Sequence, residues 1–130
     1  MVQLGYGATK TDTPVEYLVN YHGDDANLGV TVASTARDAD NTPTTTLQKG
    51  LVMGEVTATG LYKEYIDSLS DGTEVAVGIL TDQIDLLDAN NTAQNNAGAL
   101  TVHGFVDNDM LYGIDANGRT DLDLIQFYNV

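Results

Sequence analysis

Residues 49–80, KGLVMGEVTATGLYKEYIDSLSDGTEVAVGIL, decide the fold. Side chains alternate between the two faces of an extended chain. Leu51 and Met53 therefore fall on one face of the first run, and Val52 and Val56 on the other. Gly60 breaks that run, and residues 61–66 (LYKEYI) start a second. Ser70-Asp71-Gly72-Thr73 writes a turn, with a glycine able to take positive φ. Residues 74–80 (EVAVGIL) make a third apolar run. Nothing in the stretch is chemically reactive. Its information is architectural, and it predicts a function of the same kind.

The flanking sequence continues the pattern. Residues 14–21 (PVEYLVNY) alternate Val15, Tyr17, Val19 and Tyr21 against Glu16, Leu18 and Asn20, which predicts a strand with an aromatic face. Residues 29–34 and 99–106 read as further strands. Residues 35–48 (TARDADNTPTTTLQ) and 88–98 (DANNTAQNNAG) are rich in Thr, Asp and Asn and read as loops. Asp107-Asn108-Asp109 and Asp115-Ala116-Asn117-Gly118 read as turns. Thr120 is positioned to cap one helical turn, with Leu122, Ile125 and Tyr128 at helical spacing, followed by extended chain from Phe127 to Val130; alternatively Leu122, Leu124, Gln126 and Tyr128 alternate as a strand. The sum is a mostly β small domain with seven or eight short strands. Residues 1–13 are expected to form an N-terminal arm, and residues 14–130 a single β-rich domain. In the arm, Val2, Leu4 and Tyr6 alternate with Gln3 and Gly5, so the segment can present one face if it joins a sheet edge as a strand.

Composition excludes several functions. At 130 residues the chain is one domain with 42% hydrophobic residues, enough for a core. No apolar run is long enough to span a bilayer. The start MVQLGYGATKTDTP lacks the basic and apolar blocks of a secretory signal. Cysteine is absent, so neither disulfides nor thiolate-bound metal support the fold. The formal charge is −14, from 19 acidic and 5 basic residues. Nucleic-acid binding needs clustered Lys and Arg to displace phosphate counterions. Here Lys10, Arg37, Lys49, Lys63 and Arg119 are scattered, so no nucleic-acid partner is expected.

Candidate chemistry is sparse. His22 stands beside Asp24 and Asp25 in a polar turn, but a metal site needs further ligands and a fixed surround. His103 falls in the strand read at 99–106 and is expected to be half-buried. Ser34, Ser68 and Ser70 lie in no nucleophile elbow. Counted from Asp115 as a calcium loop, the twelfth position is Gln126, where a bidentate carboxylate is required. No phosphate-binding glycine loop occurs. No enzyme activity, metal or other cofactor is therefore expected.

A family comes into view on the same residues. Lys49-Gly50-Leu51-Val52-Met53-Gly54-Glu55-Val56-Thr57-Ala58-Thr59-Gly60-Leu61-Tyr62, then Asp71-Gly72, then Ala76-Val77-Gly78-Ile79-Leu80, resembles the phage head decoration proteins of the lambda type. Val30-Thr31-Val32-Ala33-Ser34 upstream and Leu100 to Val106 downstream extend the resemblance to residues 29–106. It implies a β-clip type fold, a bent ribbon with an incomplete barrel. It implies a structural virion protein, made in the host cytoplasm. Such a protein binds the outside of the expanded head as a homotrimer and holds it against internal DNA pressure. The implied partners are the major capsid protein and further copies of the chain, with no membrane involved. Val2, Leu4 and Tyr6 are the expected capsid-binding residues of the arm. A second reading, from another class, is a monomeric carbohydrate- or host-binding module using Tyr6, Tyr17, Tyr21, Tyr62, Tyr65, Tyr112 and Tyr128. The lack of Trp, the strongest stacking platform, weighs against it.

Overall fold

The computed structural model describes residues 17–20 and 27–129. In chain order the strands are β1 (Asn27–Val32), β2 (Thr46–Leu47), β3 (Val52–Glu55), β4 (Tyr62–Glu64), β5 (Gly78–Leu80), β6 (Ile84–Asp85), β7 (Asn96–Thr101), β8 (Gly104–Asp107) and β9 (Ile125–Tyr128). One helix, α1 (Ala116–Asp121), precedes β9, and a 3-10 turn (Asn108–Met110) follows β8. The fold is thus mostly β with one short helix, as expected. Five strands close into a barrel in the order β1, β4, β3, β5, β7. β1 and β7 pair antiparallel along all six residues and close the ring. The opposite seam is thin: β1 and β4 run parallel and share only the pair Val32↔Tyr62, extended by Ala33 N–H to Tyr62 O at 2.9 Å. The ring therefore closes further than the resemblance implies.

Alternation in the first run explains the centre of the molecule. Leu51 and Met53 join Val32, Leu47, Leu80, Leu86 and Leu100 in one apolar cluster. Val52, on the other face, joins Tyr17, Ile79, Val106, Leu122 and Ile125 in a second. β3 and β5 thus have both faces covered, and Val52, Met53, Ile79 and Leu80 are fully buried. Each such side chain contributes roughly 1.5–3 kcal/mol of transfer free energy.

The second cluster sits between the barrel and a ribbon. β8 and β9 pair in parallel, Gly104↔Ile125 through Asp107↔Tyr128. Leu18 bridges to Val106 on the other side of β8. Tyr17 ties this ribbon to the barrel. Its ring is buried, its hydroxyl lies 2.7 Å from Thr101 Oγ1, and it donates more weakly to Ile79 O at 3.4 Å. Tyr17→Phe leaves the ring in place and removes this link. It is expected to cost about 1–2 kcal/mol, the usual effect of unmaking a buried hydrogen bond. A thermal melt should fall by roughly 5 °C. A shift below one degree would show that the hydroxyl is not needed.

Several local expectations are corrected. The strand read at 99–106 is two strands in different sheets. The chain turns out of the barrel at Val102 and His103, and Gly104 adopts φ +152° to start β8. His103 is consequently exposed rather than half-buried. Asn96 and Gly98, read as loop, belong to β7 because pairing with β1 overrides their polar composition. The run at 74–80 is extended only from Gly78. Upstream of it the backbone of Thr73 and Val75 fills the space beside Gly54, where a Cβ would meet Thr73 Cα at 2.8 Å. Residues 35–48 are more than a loop. They include β2, and Asp38 is fully buried, accepting Asp40 N–H at 3.1 Å and Gln48 N–H at 2.9 Å.

The C-terminal expectation was displaced by several residues. The helix starts after Asp115, whose carboxylate caps it by accepting Gly118 N–H at 2.7 Å. Thr120 lies inside the helix, its hydroxyl on Ala116 O at 3.1 Å. Extended chain begins at Ile125 rather than Phe127. Residues 107–109 are likewise the cap and start of the 3-10 turn, with Asp107 accepting Asp109 N–H.

Candidate functional site

The polar groups of the described residues are largely engaged with the backbone. Glu64, on β4, is the carboxylate whose surroundings look most like a catalytic setting. Burial pushes its pKa up, and its Oε1 accepts Arg37 N–H at 3.1 Å. It lines a cavity of about 120 Å³ with Arg37, Asp38 and Tyr65. Yet the Arg37 guanidinium is held on Ser34 O and Ala36 O, at 2.8 and 2.6 Å. Asp38 is used by its own loop. The cavity holds no hydrogen-bonded pair of nucleophile and base, the geometry that acid–base chemistry needs.

Asp115, tested above as a calcium ligand, has two occupations. It caps α1 and accepts the Tyr65 hydroxyl at 2.8 Å. The Gly118 N–H, and then the Tyr65 hydroxyl, hold its carboxyl below the usual range. A group lowered in the folded state stabilises above its unfolded pKa, and that contribution is lost as pH falls through the folded value. Among the described residues no group of three or more His, Cys, Asp or Glu is placed to hold a metal. His22 lies outside the described residues.

The tyrosines are dispersed. Tyr17 and Tyr65 are buried, Tyr62 and Tyr112 are half-buried, and Tyr128 is 45% exposed. Tyr6 and Tyr21 lie outside the described residues. The two buried rings are tied to Thr101 and Asp115, so they offer no face to a sugar.

The surface also presents apolar side chains. Val19, Leu28, Ile66, Leu69, Val75, Met110, Leu124 and Tyr128 are all exposed. Two of them, Leu124 and Tyr128, lie on the ribbon. Ile125 is buried and Phe127 packs against the second cluster, so Leu124, Gln126 and Tyr128 face outward. Leu124 is 62% exposed. The Tyr128 ring stands edge-to-face on Phe105, with centroids 5.9 Å apart. The expected arm residues Val2, Leu4 and Tyr6 lie outside the described residues. The described chain begins on this same ribbon: Asp107 N–H donates to Tyr17 O at 2.6 Å, and Val19 N–H to Phe105 O at 2.9 Å. Asp107 pairs with Tyr128, so Tyr17 and the end of β9 share one end of the ribbon.

Sequence reasoning missed the ribbon face. The alternation of Leu122, Leu124, Gln126 and Tyr128 was visible, but helical spacing competed with it. No helix among the described residues is long and apolar enough to cross a membrane. No curated protein matches the chain. The family model described as bacteriophage lambda head decoration protein D matches residues 11–121, a wider span than the motifs at 29–106 and one that ends before β9. With well over half of its length matched, and with the mostly β fold expected of it, the chain belongs to the phage head decoration family.

Proposed function

We propose that this chain binds the outside of the expanded phage head as a homotrimer and stabilises the shell against the pressure of packaged DNA. The family match over residues 11–121 carries this reading. The surface chemistry supports it. Among the described residues Asp38, Asp71, Asp107 and Asp115 hold loops and caps, while apolar side chains are exposed and able to bury area against neighbours. A structural role needs no catalysis, metal or other cofactor, and the protein is not an enzyme in this account. The charge of −14 keeps a densely covered shell soluble and repels nucleic acid. A threefold ring uses two different patches on each copy, so exposed apolar residues on more than one face suit it.

In this reading residues 1–13 are the arm, residues 14–130 the decoration domain, and the bent ribbon and barrel together a β-clip. Val2, Leu4 and Tyr6 meet the major capsid protein by strand addition. Light scattering over a concentration series should give a trimer, either free or on the capsid. A species that stays monomeric in both settings would contradict the oligomer. The stabilising role is tested on DNA-filled heads lacking decoration. Adding the protein should raise the temperature at which DNA is released. Release at an unchanged temperature, with the protein bound, would remove stabilisation from its role.

A further inference from the structure

We propose that the outer edge of β9, with Leu124 and Tyr128 beside it, is a second capsid contact that accepts an extended segment of the major capsid protein. The segment it fits alternates apolar residues with Lys or Arg. This inference rests on the capsid-binding reading above and names a surface for it outside the arm.

Among the described residues the edge is open, since β9 pairs only with β8. Gly104 N–H donates to Leu124 O, so residues 124, 126 and 128 direct their backbone groups toward β8. Ile125 and Phe127 then direct theirs outward. Ile125 N–H is taken by Leu122 O at 3.1 Å. Among the described residues, Phe127 N–H and C=O and Ile125 C=O face no paired strand and are placed to pair with an incoming one. An open edge flanked by exposed apolar side chains is normally blunted by charge, proline or a covering element. Here the outward side chains of the strand are Gln126 and Tyr128, with Leu124 just before it.

The edge also has an anchor pocket. A groove of about 300 Å³ opens at the Leu124 end, lined by Val75, Val77, Val102, Leu122 and Leu124. In strand addition the backbone bonds provide affinity, and such a pocket selects a side chain.

Charge chooses the occupant. Asp121 and Asp123 flank the start of β9, and Asp107 and Asp109 lie at its end. Arg119 is the nearby cation, held on Asn108 Oδ1 at 3.2 Å. An incoming strand with basic residues is therefore favoured, and another copy of a chain carrying −14 is disfavoured.

The test uses the full-length chain and empty expanded capsids. Leu124→Asp with Tyr128→Asp should lower the protein's affinity for capsids by at least about tenfold, while circular dichroism and oligomeric state stay unchanged. The uncharged pair Leu124→Ser and Tyr128→Ser should act in the same direction. Hydrogen exchange on the unmodified protein gives a readout independent of any variant. The Phe127 amide should exchange much more slowly on capsids than in solution. Unchanged affinity in both pairs, or an unprotected Phe127 amide on capsids, overturns the proposal. Loss of self-association with capsid affinity retained assigns the edge to contacts between copies and also overturns it. If the unmodified chain does not bind capsids at all, the capsid reading itself fails and this edge with it.

Discussion

Gly72→Ala is expected to destabilise the protein by about 2–5 kcal/mol and to lower its melting temperature by roughly 10–20 °C. Two costs add at this position. Gly72 sits at φ +109°, a conformation that costs an L-residue about 1–2 kcal/mol. An added Cβ would also press on Glu55 O and Thr57 Oγ1, and would stand 2.8 Å from Thr57 N. Two of these three are backbone atoms, and Thr57 N–H is itself fixed on Asp71 O at 2.9 Å. They cannot move aside as a side-chain tip would, so an overpacking cost of about 1–3 kcal/mol follows. The turn is further held by Asp71, whose carboxylate takes the Thr73 N–H and hydroxyl. Gly29→Ala is the control. Nothing lies within 4 Å of its added Cβ, and its melt should stay within about two degrees. A Gly72→Ala melt within three degrees of the parent would contradict this account of the turn.

That same stretch shows what the sequence made legible. Gly60 and Gly72 were read as breaks, and both adopt positive φ. The alternation of Leu51, Val52 and Met53 was readable, and it divides them between two cores. Where the reading failed, long-range contacts had replaced local preference. Asn96 and Gly98 look like loop but pair with β1. Val75 looks like strand, yet it is 48% exposed, in a segment displaced by the approach to Gly54. Asp38 looks like one more surface acid in a polar tract, and it is the buried centre of that tract. The helix was misplaced because Thr120 and Asp115 are both good caps, and Asp115 is held in place by the Tyr65 hydroxyl, fifty positions away along the chain, which no local reading shows. The ribbon edge at β9 needed three dimensions, since no single segment shows that β8 is its one neighbour among the described residues.

Deleting residues 1–13 is expected to reduce capsid affinity by about a hundredfold or more while leaving the domain folded. Strand addition supplies backbone hydrogen bonds, and burial of Leu4 and Tyr6 adds to them. A hundredfold loss of affinity corresponds to about 2.8 kcal/mol of net binding, since each 1.4 kcal/mol is about tenfold. Folding is expected to survive because both core clusters are built from Tyr17 onward among the described residues. Replacing Leu4 and Tyr6 with Asp should have nearly the same effect. A folded deletion variant with undiminished affinity would move the anchor to the loops at 35–48 and 88–98, or to β9.

All of these expectations depend on one event, attachment of the intact chain to the expanded shell. The most direct measurement is sedimentation of purified protein with empty capsids, expanded and unexpanded, from the same phage. The account predicts that the protein pellets with expanded capsids, saturates at a fixed number of copies per capsid subunit, and stays in the supernatant with unexpanded ones. Protein left in the supernatant with both forms would contradict it.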